Sequence, residues 1–196
     1  GYTYIDTGAM YRAVAYRAQR AGLRVGVDDD KIGELAGELR FEFVTRNGQR
    51  RLLVDGEDVS DVIRTPEVGA LSSPVSAIPA VREHLVAAQR QMAANAAVVM
   101  EGRDIGTVVF PQARLKIFLT ASEGERARRR WEQMRARGEQ VSYEEVLRAQ
   151  RERDARDSSR ALAPLRPAPD AVQLNTDGMS VQQVVARVLE LLAEVS

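Results

Sequence analysis

Val98-Val-Met-Glu-Gly-Arg-Asp-Ile-Gly-Thr107 is the stretch whose reading decides the fold. Val98, Val99 and Met100 form a short apolar run without polar alternation, which suits a strand buried on both faces of a parallel sheet. Gly102 bounds the run, and a polar cluster leaves its carboxyl end. The same order, a short apolar run and then a polar turn, recurs in both directions. Upstream, Tyr2-Thr-Tyr-Ile-Asp6 is a β-prone run that opens into a helical stretch from about Ala9 to Ala21, with Gly22 placed to stop it. Downstream, Leu115-Lys-Ile-Phe-Leu119 and Val172-Gln-Leu174 read as further strands.

Helical segments lie between these runs. Asp30 to Leu39 is one, and Thr65 to Asn95 is another, with Pro79 starting its longer piece. Val81, Leu85, Ala88 and Met92 share one face of that piece. Ser122 with Glu125, Ser142 with Glu145, and Ser180 with Gln183 have the spacing of capping boxes. They open helices to about Arg137, to about Arg160, and to the C-terminal region, where Val181, Val184, Val185, Val188 and Leu192 form a stripe. One segment breaks the pattern. Phe41 and Phe43 alternate with polar residues, Asn47-Gly48 and Asp55-Gly56 are hairpin turns, and Arg51 to Val54 lies between them. This small antiparallel meander reads as an insertion in an α/β domain with a parallel sheet.

Composition excludes several function classes. The 196 residues hold no cysteine and one histidine, which removes disulfides, zinc-thiolate sites, thiol nucleophiles and His-rich metal centres. Basic and acidic residues number 28 each, so net charge does not favour a general polyanion binder. No run is apolar for the roughly 18 residues a membrane span needs, and no signal peptide opens the chain. A cytoplasmic location is expected. Among the cations only Lys31 and Lys116 are lysine; the arginine excess suits bidentate phosphate binding, although GC-rich coding produces the same bias.

In open α/β sheets ligands collect beyond the carboxyl ends of strands. Asp6-Thr-Gly-Ala-Met-Tyr-Arg12 and Glu101-Gly-Arg-Asp-Ile-Gly-Thr107 lie at two such ends. Each offers a glycine for close backbone approach, an arginine for a phosphate and an aspartate as acceptor. Ordinary turn chemistry with a surface ion pair is the competing reading of either cluster taken singly. Arg153, Asp157 and Arg160 have helical spacings of four and three residues, hence one face. By charge pattern alone they read as a solvated helix, as do Arg126, Arg129 and Arg130.

Three strings, Asp6 to Arg12, Gly102-Arg-Asp-Ile-Gly-Thr-Val-Val-Phe-Pro111 and Arg153-Asp-Ala-Arg-Asp-Ser-Ser-Arg160, resemble the signature segments of bacterial cytidylate kinases. Val54 to Val59, Arg64 to Glu67, Ser73, Val81-Arg82-Glu83 and Gln89-Arg90 fit the same pattern in the same order. The resemblance implies the P-loop nucleoside monophosphate kinase fold and transfer of the ATP γ-phosphoryl group to CMP or dCMP. It implies a kinase core over 1–38 and 77–196, a CMP-binding insertion over 39–76, and a lid over 148–165. Arg12 and Arg103 are expected on the phosphate of the acceptor nucleotide, with Arg153 joining them when the lid closes. Asp6, Thr7, Gly8 and Tyr11 are expected beside the nucleotide. Ser73, Arg82 and Asp104 are expected to read cytosine, and Asp157 with Arg160 to hold the sugar. Arg126, Arg129, Arg130 and Arg156 are expected on the ATP side. Mg2+ is expected with ATP, and the chain is expected to act as a monomer without nucleic acid or membrane as partner.

The chain departs from the family in one respect. The loop G-x-x-x-x-G-K-[ST], whose amides and lysine cradle ATP phosphates, is absent from the 196 residues. In the family it precedes the position of Tyr2, and its strand is central in the sheet. The absence leaves two neighbouring strands without their pairing partner. The chain begins Gly1-Tyr2, without methionine, and is expected to be part of a longer protein. A UMP or AMP kinase of the same fold, and a non-catalytic CMP-binding fragment, are the alternatives. A nucleic-acid-binding role fits poorly, because an aromatic fraction of 5% offers few stacking platforms.

Overall fold

Asp6 ends the first strand and starts the first helix. Strand β1 covers Thr3–Asp6 and helix α1 Thr7–Arg20, and the Asp6 side chain caps that helix by accepting from the Ala9 amide. Arg17 and Arg20 fall in the last turn of α1, where cations complement the helix dipole. The computed structural model describes residues 2–94, 96–160 and 162–195. Asn95, at the end of an expected helical stretch, and Ala161, within the expected lid, lie outside the described residues, as do Gly1 and Ser196. The chain divides into two units, Gly1–Ile105 and Gly106–Ser196.

In the first unit, α2 (Asp29–Glu38) is followed by β2 (Phe41–Arg46), β3 (Gln49–Val54) and β4 (Glu57–Asp58) in an antiparallel order β2-β3-β4. Both connecting turns have two residues at positive φ, Asn47 at 52° with Gly48 at 72°, and Asp55 at 53° with Gly56 at 83°. That backbone twist matches paired strands and explains why Asn-Gly and Asp-Gly were readable as hairpins. A 3-10 turn, Val62–Arg64, leads to α3 (Pro66–Val75) and α4 (Pro79–Ala93), each opened by its proline. Strand β5 (Val98–Glu101) returns to pair in parallel with β1, in a register that sets Asp6 opposite Glu101.

The core of this unit packs α1, α2 and α4 around Ile5, Met10, Val14, Ile32, Val81 and Leu85, all essentially inaccessible to water. Each such side chain contributes about 1.5–3 kcal/mol of transfer free energy. Ala88 and Met92 are partly buried against this core, so the predicted face of α4 is the packed one. The meander is tied to the core at two points. Arg17 donates to the Val54 carbonyl at 3.0 Å and pairs with Glu57 at 2.9 Å. Arg50 of β3 lies over the Tyr4 ring, 4.3 Å from its centroid. Burial, and then the Glu101 carboxylate to which it donates, push the Tyr4 hydroxyl above its ordinary range.

In the second unit, β6 (Ile117–Thr120) pairs in parallel with β7 (Val172–Asn175). Helices α5 (Glu123–Ala136) and α6 (Tyr143–Ser159) form a hairpin, and α7 spans Val181–Glu194. At the hairpin tip the Trp131 indole donates to the Val141 carbonyl at 3.0 Å and meets the Tyr143 ring edge-on. A π-helical turn covers Ile105–Val109.

Three details differ from the sequence reading. The parallel strands form two separate pairs, β1-β5 and β6-β7, as the expected lack of a shared partner implies, but Val99 and Leu119 are exposed where strands buried on both faces were expected. Only the Ser142 and Ser180 capping boxes close in both directions. At Ser122 the hydroxyl accepts from the Glu125 amide, but the Glu125 carboxylate is drawn to Arg128 and Arg129 instead. Finally, the α7 stripe is not a buried face, because Val181 and Val185 are exposed and Leu191 is the residue that packs. Among the described residues no helix is long and apolar enough to cross a membrane.

Candidate active site

The first turns of α1 and the end of β5 build the first cluster. Asp6 divides its carboxylate, Oδ1 accepting from the Ala9 amide at 2.8 Å and Oδ2 from Arg12 Nη2 at 3.0 Å. Thr7 is buried and its Oγ1 donates to the Glu101 carbonyl at 2.7 Å, locking α1 to the strand end. Gly102 makes that contact possible, because a β-carbon there would overlap Thr7 Oγ1 and come within 2.7 Å of Ile105. A β-carbon on Gly8 would stand 3.2 Å from both Arg12 Nη1 and Asp6 Oδ1, so the guanidinium and carboxylate lie close over bare backbone. A helix N-terminus, an arginine and a glycine floor together favour an oxyanion such as phosphate.

Tyr11 connects this cluster to a second, buried one. Its ring lies under Arg82, 5.8 Å from the guanidinium carbon. Arg82 is 7% and Asp104 6% exposed, and Arg82 Nη2 donates to Asp104 Oδ2. Arg82 Nη1 donates to the Ser76 carbonyl at 3.3 Å, and Ser76 Oγ donates to the Ser73 carbonyl at 2.8 Å. A buried cation and anion cost several kcal/mol each to desolvate unless paired, so their placement together is not surface chemistry. Arg103, half-buried, stands between Gly102 and Asp104 at the same strand end. The fold thus brings Asp6, Thr7, Gly8, Tyr11, Arg12, Arg82 and Asp104 into linked contacts, with Ser73 joined through Ser76. Ser76 escaped the sequence reading because it acts partly through its backbone carbonyl, which leaves no signature in residue type.

The second unit holds its own cluster on α6. Asp157 is 1% exposed; Arg160 donates to its Oδ1, and Arg153 Nε lies 3.7 Å from Oδ2. The Leu165 amide returns to the Asp157 carbonyl at 2.8 Å, folding the chain back over this turn. A solvated helix face is therefore not what this charge pattern makes. Arg156 is exposed on the same turn.

The arginines of α5 are largely engaged. Arg129 binds Glu125 at 2.6 Å, Thr176 Oγ1 at 2.9 Å and the Thr176 carbonyl at 2.5 Å, so it braces the loop after β7. Arg126 donates to the Ala121 carbonyl at 2.6 Å and to Asp154 at 2.7 Å. Arg130 donates to Gln133 at 3.1 Å. Arg128 bonds first to Glu125 and also to Glu132, and with Arg129 it holds the Glu125 carboxyl down at about 2. Thr176 and Asp154 were missed from sequence, their partners being 47 and 28 residues away.

Among the described residues no group of three or more His, Asp and Glu is arranged to hold a metal ion. Asp6 and Glu101 face each other in register at the strand ends, but Asp6 serves Ala9 and Arg12 while Glu101 serves Tyr4. Both carboxylates are thus already engaged within the chain and do not form a preassembled magnesium cage.

The sequence profile of the cytidylate kinase family matches residues 1–194. The chain is 48% identical over 194 residues to the cytidylate kinase of Syntrophotalea carbinolica, covering 98% of this chain and 82% of that protein. It is 47% identical to that of Geobacter sulfurreducens, over 99% of this chain and 83% of the relative. It is 46% identical to that of Pseudomonas aeruginosa, over 96% and 83%. With both the buried Arg82–Asp104 pair and the clamped Asp157 lying within strings matched along nearly its whole length, the chain belongs to the cytidylate kinase family.

Proposed function

We propose that this chain is an ATP-dependent kinase that phosphorylates CMP or dCMP to the diphosphate. The observation that carries this reading is the buried Arg82–Asp104 pair beside Tyr11 and the Ser73–Ser76 turn. Cytosine presents an amino donor next to ring acceptors. A carboxylate facing the amino group and a guanidinium facing the acceptors select it over uracil, which reverses that pattern.

Phosphoryl transfer needs two anions aligned and their charge stabilised more than it needs covalent help. In this reading Arg12 and Arg103 hold the acceptor phosphate, and Thr7 and Gly8 let backbone amides approach it. Arg153 joins them when the lid, 148–165, closes and excludes water. Asp157, fixed by Arg160, takes the sugar hydroxyls. Residues 39–76 form the CMP-binding insertion. Arg126, Arg129, Arg130 and Arg156 serve the ATP side, Arg129 by bracing the loop after β7. Mg2+ accompanies ATP, and we assign it no ligand within these residues. The kinase acts in the cytoplasm, as a monomer.

Calorimetry with CMP, UMP and AMP tests the acceptor site directly, since Arg82, Asp104 and Tyr11 lie in one unit. Selective CMP binding is expected; equal binding of all three would overturn the cytosine assignment. Turnover is measured in the 196 residues alone and with a segment carrying G-x-x-x-x-G-K-[ST] placed ahead of them. CDP formation is expected from the second, and comparable rates from both would refute a requirement for the loop.

A further inference from the structure

Arg126 reaches from the start of α5 to two acceptors on different elements, the Ala121 carbonyl just beyond β6 and the Asp154 carboxylate on α6. One of its three nitrogens is left over. Nε is buried and has no hydrogen-bond partner among the described residues. In a guanidinium, Nε–H and one Nη2–H lie along the same edge, which is the edge that an oxyanion grips with two parallel bonds. Asp154 takes only the Nη2 end of that edge. Its other oxygen, Oδ1, is turned to Gln150 Nε2 at 3.0 Å, one helical turn earlier. The pair is incompletely buried, with side-chain exposures of 40% and 23%, so its contribution is small.

Arg128, by contrast, fills both positions with the two oxygens of Glu125. The single bond from Asp154 leaves the Nε–Nη2 edge of Arg126 half used. A phosphate group carries more charge than a carboxylate and can fill Nε and Nη2 together. We propose that Asp154 is a positioning residue: it holds Arg126 in place while the ATP site is empty and yields it to the triphosphate when ATP binds. Gln150 keeps the displaced carboxylate on α6, next to Arg153, so release of Arg126 from Asp154 is coupled to movement of the lid helix. This inference rests on the ATP-dependent reading above and adds a residue that the family motif does not assign.

The test compares Mg·ATP and CMP affinities by calorimetry in the loop-bearing chain and its D154N, D154E and D154N/R126K variants. Removing the competing charge in D154N is expected to tighten Mg·ATP binding by about two- to fivefold, the range for loss of a half-exposed ion pair. CMP affinity stays at the parent value, D154E restores parent ATP affinity, and R126K abolishes the gain. A purely structural tie predicts the opposite sign, because loosening α6 would weaken ATP binding. Weaker or unchanged ATP binding in D154N, or equal tightening of CMP, would overturn the inference. A parent that selects CMP but fails to bind Mg·ATP overturns the ATP-dependent reading, and this inference with it.

Discussion

Gly33 of α2 lies directly against Ala80 of α4: a β-carbon built on the glycine would stand 2.6 Å from the alanine β-carbon. One turn later Gly37 lies under the His84 ring, with a built β-carbon 2.8 Å from Cε1. The two helices therefore meet through bare backbone, and the two positions differ in what could yield. Ala80 is fixed to its helix, whereas His84 is exposed and can rotate away. Gly33→Ala is expected to cost about 1–3 kcal/mol from overpacking. Gly37→Ala is expected to stay within about 1 kcal/mol of the parent, since better helix propensity offsets the displaced ring. Urea denaturation of both variants checks the ranking, and equal losses would contradict it.

Breaking the buried pair on one side is expected to be severe. Asp104→Ala leaves Arg82 charged, 7% exposed and short of its carboxylate, at a cost of about 3–5 kcal/mol. Replacing both partners, Arg82→Met with Asp104→Leu, is expected to recover much of that stability. The double variant should nevertheless lose selection of CMP over UMP, and thermal melts run beside calorimetry separate these two effects.

Gly102→Ala pushes a methyl group into Thr7 Oγ1 and breaks its bond to the Glu101 carbonyl. CMP affinity is expected to fall by about tenfold or more as the start of α1 shifts. Adding Thr7→Ala makes room for the new methyl and is expected to restore part of the loss. A double variant no better than Gly102→Ala would show that the glycine acts through something other than Thr7.

Acid is expected to weaken the fold through two depressed carboxyls. Arg128 and Arg129 hold Glu125 at about 2 against its usual 4.5, and Arg51 with Ser60 holds Asp58 at about 2 against 3.8. Folded values below unfolded ones mean that this stabilisation is complete above about pH 4.5 and is lost as pH falls toward 2. Urea midpoints from about pH 6 down to about pH 2.5 should decline accordingly. Glu125→Gln is expected to flatten part of the slope, and an unchanged slope would assign it elsewhere.

Much of this architecture was readable because its causes are local. The Asn47-Gly48 turn, the Pro79 helix start and the Ser142–Glu145 box each need only residues within one turn of each other. Contests between neighbours were harder. Glu125 had the spacing of a capping residue, yet two arginines three and four residues on claimed its carboxylate. In the candidate site, Asp6 to Arg12 and the cluster holding Asp104 were readable as strand-end motifs, whereas Arg82 came only through the family resemblance. Ser76, Thr176 and Asp154 were not readable, because backbone acceptors and distant partners define their roles. The α7 stripe had the right period, but period alone does not say which residues find a surface to cover.

The position of Trp131 makes one part of the molecule optically distinct. It is the single tryptophan in the chain, and its indole is bonded to Val141 and edge-on to Tyr143 at the tip of the α5–α6 hairpin. Its emission reports on that hairpin. Quenching or a spectral shift on adding nucleotide would time the rearrangement of the hairpin without any label, and the tyrosines of the first unit would not contribute at red-edge excitation.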